Sequence, residues 1–372
     1  MQASVDGHRP TILVTGISGN LGHRLLPLLP DFRVLGVDLA PLAAHPEIEL
    51  HPLHLGREAS CVELVRLMRA TEVEMVVHLA FTASPARDVE NARDTMWQTN
   101  VAGTARVMEA ITEVNRHGGN VRKFIFTGSA SVYGPETAPL VDEDAPLAAH
   151  TLPYALDHAE ADHVVRFRSA SMGHCSTTLL RAQAFAGAGV ESFLLGALQG
   201  RAYGTGPRAA RWQQKGRLVP YVLPTGHEAL EKQTQFVHVE DLARLVRWLL
   251  DRRDDPQSEP TVLNVAAPGQ PLTRARCVEI ASTRLRRCLT QGLCVRRMNS
   301  YWKSGLSAVP PEAFPYLSGS NTVSIDRLRT LLGADFSRII RFTSEEAFAE
   351  SIQSNTLEVP APGDSSNILS LR

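Results

Sequence analysis

The sequence predicts an α/β protein with a doubly wound parallel sheet and a smaller C-terminal lobe, on three observations. Short β-rich apolar runs alternate with longer helix-compatible segments, the first run ends in a glycine-rich turn that opens a helix, and the alternation weakens after about residue 187. The apolar runs are TILVT (11–15), RVLGV (33–37), EMVVHLA (74–80), KFIFTG (123–128) and STTLLRA (176–182). Strands this apolar suit a parallel sheet covered on both faces. Helix-compatible segments lie at about 20–29, 58–70, 92–117 and 154–172, which makes repeated βαβ units with right-handed crossovers. Between 196 and 230 glycine, proline and basic residues mark a more irregular element. Periodicity returns at QFVHVEDLARLVRWLL (235–250), a strand running into a helix, and TVLNVA (261–266) is a further strand.

The bulk numbers narrow the function classes. A 372-residue chain that is 44% hydrophobic and 21% charged can bury a large core. With 38 basic against 39 acidic residues, the formal charge of -1 gives no global field toward nucleic acid or anionic lipid, so a small-molecule partner is expected. The five cysteines lack C-x-x-C spacing and read as reduced thiols. His45, His51 and His54 are loosely spaced on an unpatterned loop, so no metal site is expected. MQASVDGHRP has no apolar h-region and no run approaches 18 apolar residues, so neither secretion, membrane partners nor membrane spanning is expected, and the compartment expected is cytoplasmic.

The first strand runs into G-I-S-G-N-L-G, residues 16–22, ahead of HRLLPLL. Gly16, Gly19 and Gly22 allow a tight turn, close approach of backbone to a pyrophosphate, and close packing of helix on strand. Ser18, Asn20 and Leu21 belong to that turn and helix N-terminus and are cofactor-binding candidates, since free N–H groups and the dipole there favour negative charge. Asp38 follows Gly22 by 16 residues at the end of the second strand. A carboxylate there accepts from ribose hydroxyls and repels a 2′-phosphate, which favours NAD over NADP. A glycine turn of another α/β protein, and an ordinary strand-end acid at Asp38, are the bland alternatives. The Rossmann-like reading places an NAD-binding domain at 1–186, a lobe at 187–234 and 269–355, a strand–helix–strand return to the first domain at 235–268, and a loose tail at 356–372.

The G-x-x-G-x-x-G spacing, HLA (78–80), TNVAGTARVMEA (99–110), TGSASVYG (127–134), LLRAQAFAGAG (179–189), QFVHVEDLA (235–243) and SIDRLRTLLGADF (324–336) stand in one order. In that order they resemble the extended short-chain dehydrogenase/reductases, the NAD-dependent epimerase/dehydratase family to which UDP-galactose 4-epimerase belongs. The resemblance spans about residues 11 to 350. It implies a substrate-binding role for the C-terminal lobe, with Leu79, Ala80 and Asn100 beside the cofactor and Ser131 and Ala184 beside the substrate. It also implies a homodimer formed through the helices at about 92–117 and 154–172.

The family's chemistry uses a serine or threonine with Y-x-x-x-K on one helix. The matching residues are Ser129, which would hold the reacting oxygen, Tyr154 as general acid/base, and His158 where the family has lysine. Residues 154 and 158 share a helix face. A histidine with an ordinary pKa near 6.5 is mostly neutral at pH 7 and lowers a phenol's pKa less than lysine does. His158 therefore either replaces lysine at the nicotinamide ribose, or accompanies loss of redox chemistry, or reflects a different register. Other departures are HLGRE, where the family has an acid near the adenine, Ala184 where epimerases place asparagine, and Thr234 where they place a basic residue.

Arg201, Arg208, Arg211, Lys215 and Arg217, with Tyr203 and Trp212 among them, form a basic stretch without an acid, suited either to a substrate diphosphate and base or to solvent. Arg201, Arg208 and Arg211 are the substrate candidates within it. A second basic run, Arg284 to Arg297, reads as exposed surface, and His78 and His238 read as satisfied core histidines. The leading functional expectation is an NAD-dependent oxidoreductase or epimerase acting on a secondary alcohol of a sugar nucleotide or similar polyol. A ketone reductase with a non-sugar substrate and a catalytically silent dinucleotide sensor are the alternatives.

Overall fold

The computed structural model describes residues 9–42, 44–83, 92–137, 140–200, 207–254 and 259–357. Seven strands make the main sheet: β1 (Thr11–Thr15), β2 (Arg33–Val37), β3 (Glu49–His51), β4 (Met75–His78), β5 (Lys123–Ser129), β6 (Ser176–Ala182) and β7 (Thr261–Val265). Their order is β7-β6-β5-β4-β1-β2-β3, and every pairing is parallel. The order reverses between β1 and β4, and in such sheets a ligand crevice opens at the strands' carboxyl ends at that point.

The continuous apolar runs are explained by two cores. Ile12, Val14, Ile125 and Leu180 face one core with α1 (Asn20–Leu25), while Leu13, Leu35, Val76, Phe124 and Leu179 face the other. That second core is closed by α2 (Ser60–Ala70), α4 (Gly103–Arg116) and α5 (Pro153–Arg168), through Leu64, Met68, Val107, Ile111 and Val165. The helix expected at 92–117 is two helices, α3 (Ala92–Trp97) and α4, joined by a π-helical turn at Gln98–Ala102. α5 ends in a 3₁₀ turn at Ser169–Met172.

Of the segment 235–268, only β7 joins the main sheet. Phe236–His238 pairs instead with Ala184–Ala186, because the chain leaves the sheet after β6, where the Gln183 N–H donates to the Val265 carbonyl. α6 (Val239–Asp251) then packs on α1. His238 is satisfied on both ring nitrogens: Nδ1 accepts from the Glu240 N–H at 3.2 Å and Nε2 meets Glu350 at 3.0 Å. In the lobe, Tyr221–Pro224 pairs with Leu285–Cys288, and Leu195, Leu223, Met298 and Phe314 continue the first core. Among the described residues no helix is long and apolar enough to cross a membrane.

Candidate active site

Gly16 sits at φ +70°, and a Cβ there would lie 2.5 Å from the Ala80 nitrogen. The turn after β1 therefore touches the loop after β4, which only glycine permits. Gly22 is as constrained: a Cβ would meet the Ile17 oxygen at 2.1 Å, so α1 packs directly on the turn. Gly19 is looser, with the Gly16 oxygen at 3.2 Å. Asp38, half-buried just past β2, accepts from the Ser18 N–H at 3.0 Å and the Ala40 N–H at 3.1 Å. Ser18 Oγ donates to the Ala40 carbonyl at 2.9 Å, which ties the turn to the second loop. Leu21 is buried, whereas Asn20 is exposed at the start of α1.

The loop after β4 is pinned from both sides. The Ala80 N–H donates to Thr15 Oγ1 at 3.3 Å, and the Thr82 N–H donates to Asn100 Oδ1 at 2.7 Å. Asn100 Nδ2 returns a bond to the Thr82 carbonyl and gives another, at 2.9 Å, to Asp157 of α5. Asn100 is thus spent on holding the Leu79–Thr82 loop and α5 together. Arg93 binds the other oxygen of Asp157, so that buried carboxylate keeps a counter-ion. His78 bridges Thr15 (2.6 Å) and Thr104 (3.0 Å), and burial pushes its pKa down to about 3. It is a neutral structural residue.

Ser129 ends β5, and its Oγ lies 2.9 Å from Ser131 Oγ and accepts from the Ser131 N–H at 3.2 Å. Tyr154 stands on the first turn of α5, which Pro153 starts. Burial pushes the Tyr154 phenol up to about 12, and a hydrogen bond with Ser129 opposes part of that rise. Ser129, Ser131 and Tyr154 therefore meet at the carboxyl end of β5. His158 lies one turn further, its ring edge-to-face with Tyr154 at 4.4 Å. It is 2% exposed, burial lowers its pKa to about 3, and its Nδ1 has no partner among the described residues. Phe81 covers its face, stacked at 3.6 Å and 5°. Phe81 and Phe193 both stand edge-on to the Tyr154 ring, at 5.8 and 6.2 Å.

One buried side chain fixes the two elements that carry this group. Arg181 of β6 grips Asp162 of α5 with Nε (2.7 Å) and an η nitrogen (3.0 Å), and its other η nitrogen donates to the Tyr133 hydroxyl at 2.7 Å. Tyr133 closes the 3₁₀ turn Ala130–Tyr133 that follows Ser129, and donates to Asn264 of β7 at 2.7 Å. Sequence reasoning missed Phe81, Asp157 and this network. The signals were present in HLAF, in the aspartate between Tyr154 and His158, and in the arginine of LLRA, but none tells what its side chain touches.

Of the substrate candidates, Ser131 lies in the group and Ala184 is half-buried in the ribbon beside Phe236. Arg201 and Tyr203 lie outside the described residues. Arg208 and Arg211 stand on the helix Pro207–Gln214 and line a cavity of about 530 Å³ with Pro207, Trp212, Lys215 and Arg217. No described contact joins them to Ser129, Tyr154 or His158.

Comparison with known proteins agrees with this geometry. The profile described as "NAD dependent epimerase/dehydratase family" matches residues 12–266. A UDP-glucose 4-epimerase of Yersinia enterocolitica is 29% identical over 184 residues, 46% of this chain and 52% of its own. UDP-glucose 4-epimerase 4 of Oryza sativa is 30% identical over 196 residues, 48% of this chain and 50% of its own. The chain thus spans about half the length of these curated relatives. Among solved structures, MoeE5 in complex with UDP-glucuronic acid and NAD superposes with TM-score 0.63 at 19% identity, over 93% of this chain and 99% of that one. Thermus thermophilus UDP-glucose 4-epimerase in complex with NAD gives 0.64 at 18% identity, over 92% and 98%. At these identities the structural likeness concerns the fold.

Proposed function

The chain belongs to the NAD-dependent epimerase/dehydratase family, and on that premise we propose that it transiently oxidises a secondary alcohol position of a UDP-sugar or related sugar nucleotide, or reduces the corresponding ketone. The observation that carries this reading is the meeting of Ser129 and Tyr154 at the carboxyl end of β5, one loop from the Gly16 turn. The residues present suit NAD. The Gly16 turn leaves no room for a side chain between it and Ala80, Asp38 offers a carboxylate to ribose hydroxyls, and the buried Nδ1 of His158, without a partner among the described residues, is suited to a ribose hydroxyl.

NAD, when bound, supplies the hydride acceptor and donor. Ser129 Oγ holds the reacting oxygen, and Tyr154 Oη takes the hydroxyl proton during oxidation and returns it during reduction. His158 stands in the lysine position but contributes no charge, since burial keeps it neutral. The phenol therefore works mainly in its protonated form, which suits the reductive half of the cycle. Asn100, Leu79 and Ala80 position the cofactor side of the cleft, and Ser131 and Ala184 border the substrate. Arg208 and Arg211, with Arg201, are assigned to the substrate's anionic end. A homodimer through α3–α4 and α5 is part of this reading, and the 85% exposure of Phe167 on α5 supports it.

The uncharged His158 favours one second reading, a dinucleotide-binding protein without turnover. Purified protein incubated with NAD and a panel of UDP-sugars, or with NADH and a panel of ketones, between about pH 6 and about pH 10, separates the two when NADH absorbance and the sugar or alcohol products are both followed. The enzymatic reading requires turnover that Tyr154→Phe removes. Turnover by neither protein, with NAD still bound, would leave the silent binder.

A further inference from the structure

The formal charge of -1 hides a strong separation of charge. Residues 192–227 carry five Lys and Arg and no acid, and residues 281–311 carry six and no acid. Setting those eleven positive charges aside leaves the rest of the chain at -12.

The two segments are neighbours in the fold. Tyr221–Pro224 pairs in register with Leu285–Cys288, and the helix Gln291–Lys303 packs on both strands. The helix Pro207–Gln214 is anchored to the same body by Ala209 and Trp212 against Val219, Tyr301 and Leu306. None of the described lysines and arginines of these segments has an ion pair among the described residues. Arg217 instead lies over the Trp212 ring at 5.0 Å, beside the cavity of about 530 Å³.

Apolar side chains collect on the same lobe. Of eight exposed large hydrophobic residues among the described ones, four are Leu218, Leu289 (81% exposed), Leu293 and Val295. Leu293, Arg296 and Arg297 follow i, i+3, i+4 spacing on one helix and so share a face. Nucleic acid recognition needs the cations but leaves exposed leucines in water. An anionic bilayer surface takes both, with guanidinium groups at the phosphates, leucines in the headgroup–acyl boundary and an indole at headgroup level.

We infer that the C-terminal lobe docks peripherally on anionic lipid surfaces through its basic, leucine-bearing face, without spanning the bilayer. This inference is independent of the chemistry at Tyr154.

The test is co-sedimentation of the full chain with phosphatidylcholine vesicles, with and without phosphatidylglycerol, at low and high salt. Binding should require phosphatidylglycerol and fall with salt. Arg296→Glu/Arg297→Glu should weaken it at least about tenfold, and Leu289→Ser/Leu293→Ser several-fold. Both variants change exposed side chains, so melting temperature and NAD affinity should be unchanged. The inference is overturned by absence of sedimentation at low salt, or by equal binding to vesicles without phosphatidylglycerol. It is overturned equally if the leucine variant binds like the parent, or if a uridine homopolymer is bound while vesicles are not.

Discussion

Replacing His158 with lysine tests the electrostatics of the site directly. With the Tyr154 phenol near 12, about one molecule in 10⁴ carries the phenolate at pH 8. Residues 154 and 158 are in ring contact on one helix face, and for a lysine ammonium at position 158 taken at about 5 Å from the phenol oxygen an effective dielectric near 20 gives about 3 kcal/mol. That lowers the phenol by about 2 pKa units and raises the phenolate at pH 8 to about one in 10². Burial beneath Phe81 opposes the ammonium and trims the gain. His158→Lys should therefore speed alcohol oxidation between about tenfold and about 100-fold at pH 8, and the rise of rate with pH should level off near pH 10 rather than 12. Carbonyl reduction, which uses the protonated phenol, should change little. Initial rates of NADH formation across the pH range, with NAD affinity measured in parallel, give the answer. A variant that binds NAD as the parent does, yet has a superimposable pH profile, refutes the assignment of Tyr154 as the proton carrier beside residue 158.

Three further outcomes are expected. Gly16→Ala would put a methyl 2.5 Å from the Ala80 nitrogen at φ +70°, so NAD affinity by calorimetry should drop at least about tenfold and stability by about 1–3 kcal/mol. Asp162→Asn strands the buried Arg181 guanidinium and should cost about 3–5 kcal/mol in urea unfolding, whereas Glu109→Gln, which breaks an exposed pair with Arg168, should cost about 0–1 kcal/mol. His78 and His158 have folded pKa values near 3, below the ordinary value of about 6.5, so the unfolded chain takes up protons first as pH falls. Their contribution is intact above about pH 6.5 and is lost toward pH 3, at up to about 1.4 kcal/mol per pH unit for each. His158→Phe should therefore flatten the slope of stability between about pH 7 and pH 5 by up to that amount, and an unchanged slope would mean that the imidazole titrates freely in the native protein.

The sequence by itself determined most of the sheet, because burial on both faces leaves an unbroken apolar run in the central strands, and three of the five apolar runs have the bounds read from it: 11–15, 33–37 and 176–182; the short edge strand β3, with Glu49 exposed, carries no such run. It marked the glycine turn as well, by the spacing of Gly16, Gly19 and Gly22, although the contact that forbids a Cβ at Gly16 is made by Ala80 of a distant loop. It also marked Ser129 and Tyr154, by motifs of fixed spacing. What it left to the tertiary structure was everything decided by contact between distant segments. Only the fold showed Asn100 clamping the loop after β4 to α5, Phe81 lying flat on His158, and Arg181 joining the turn after Ser129 to the helix of Tyr154. Only the fold set the charge state of His158, because an imidazole's pKa depends on the water and partners around it. The total charge of -1 likewise depends on composition alone, whereas the basic face exists because two segments some sixty residues apart are paired as strands in the lobe.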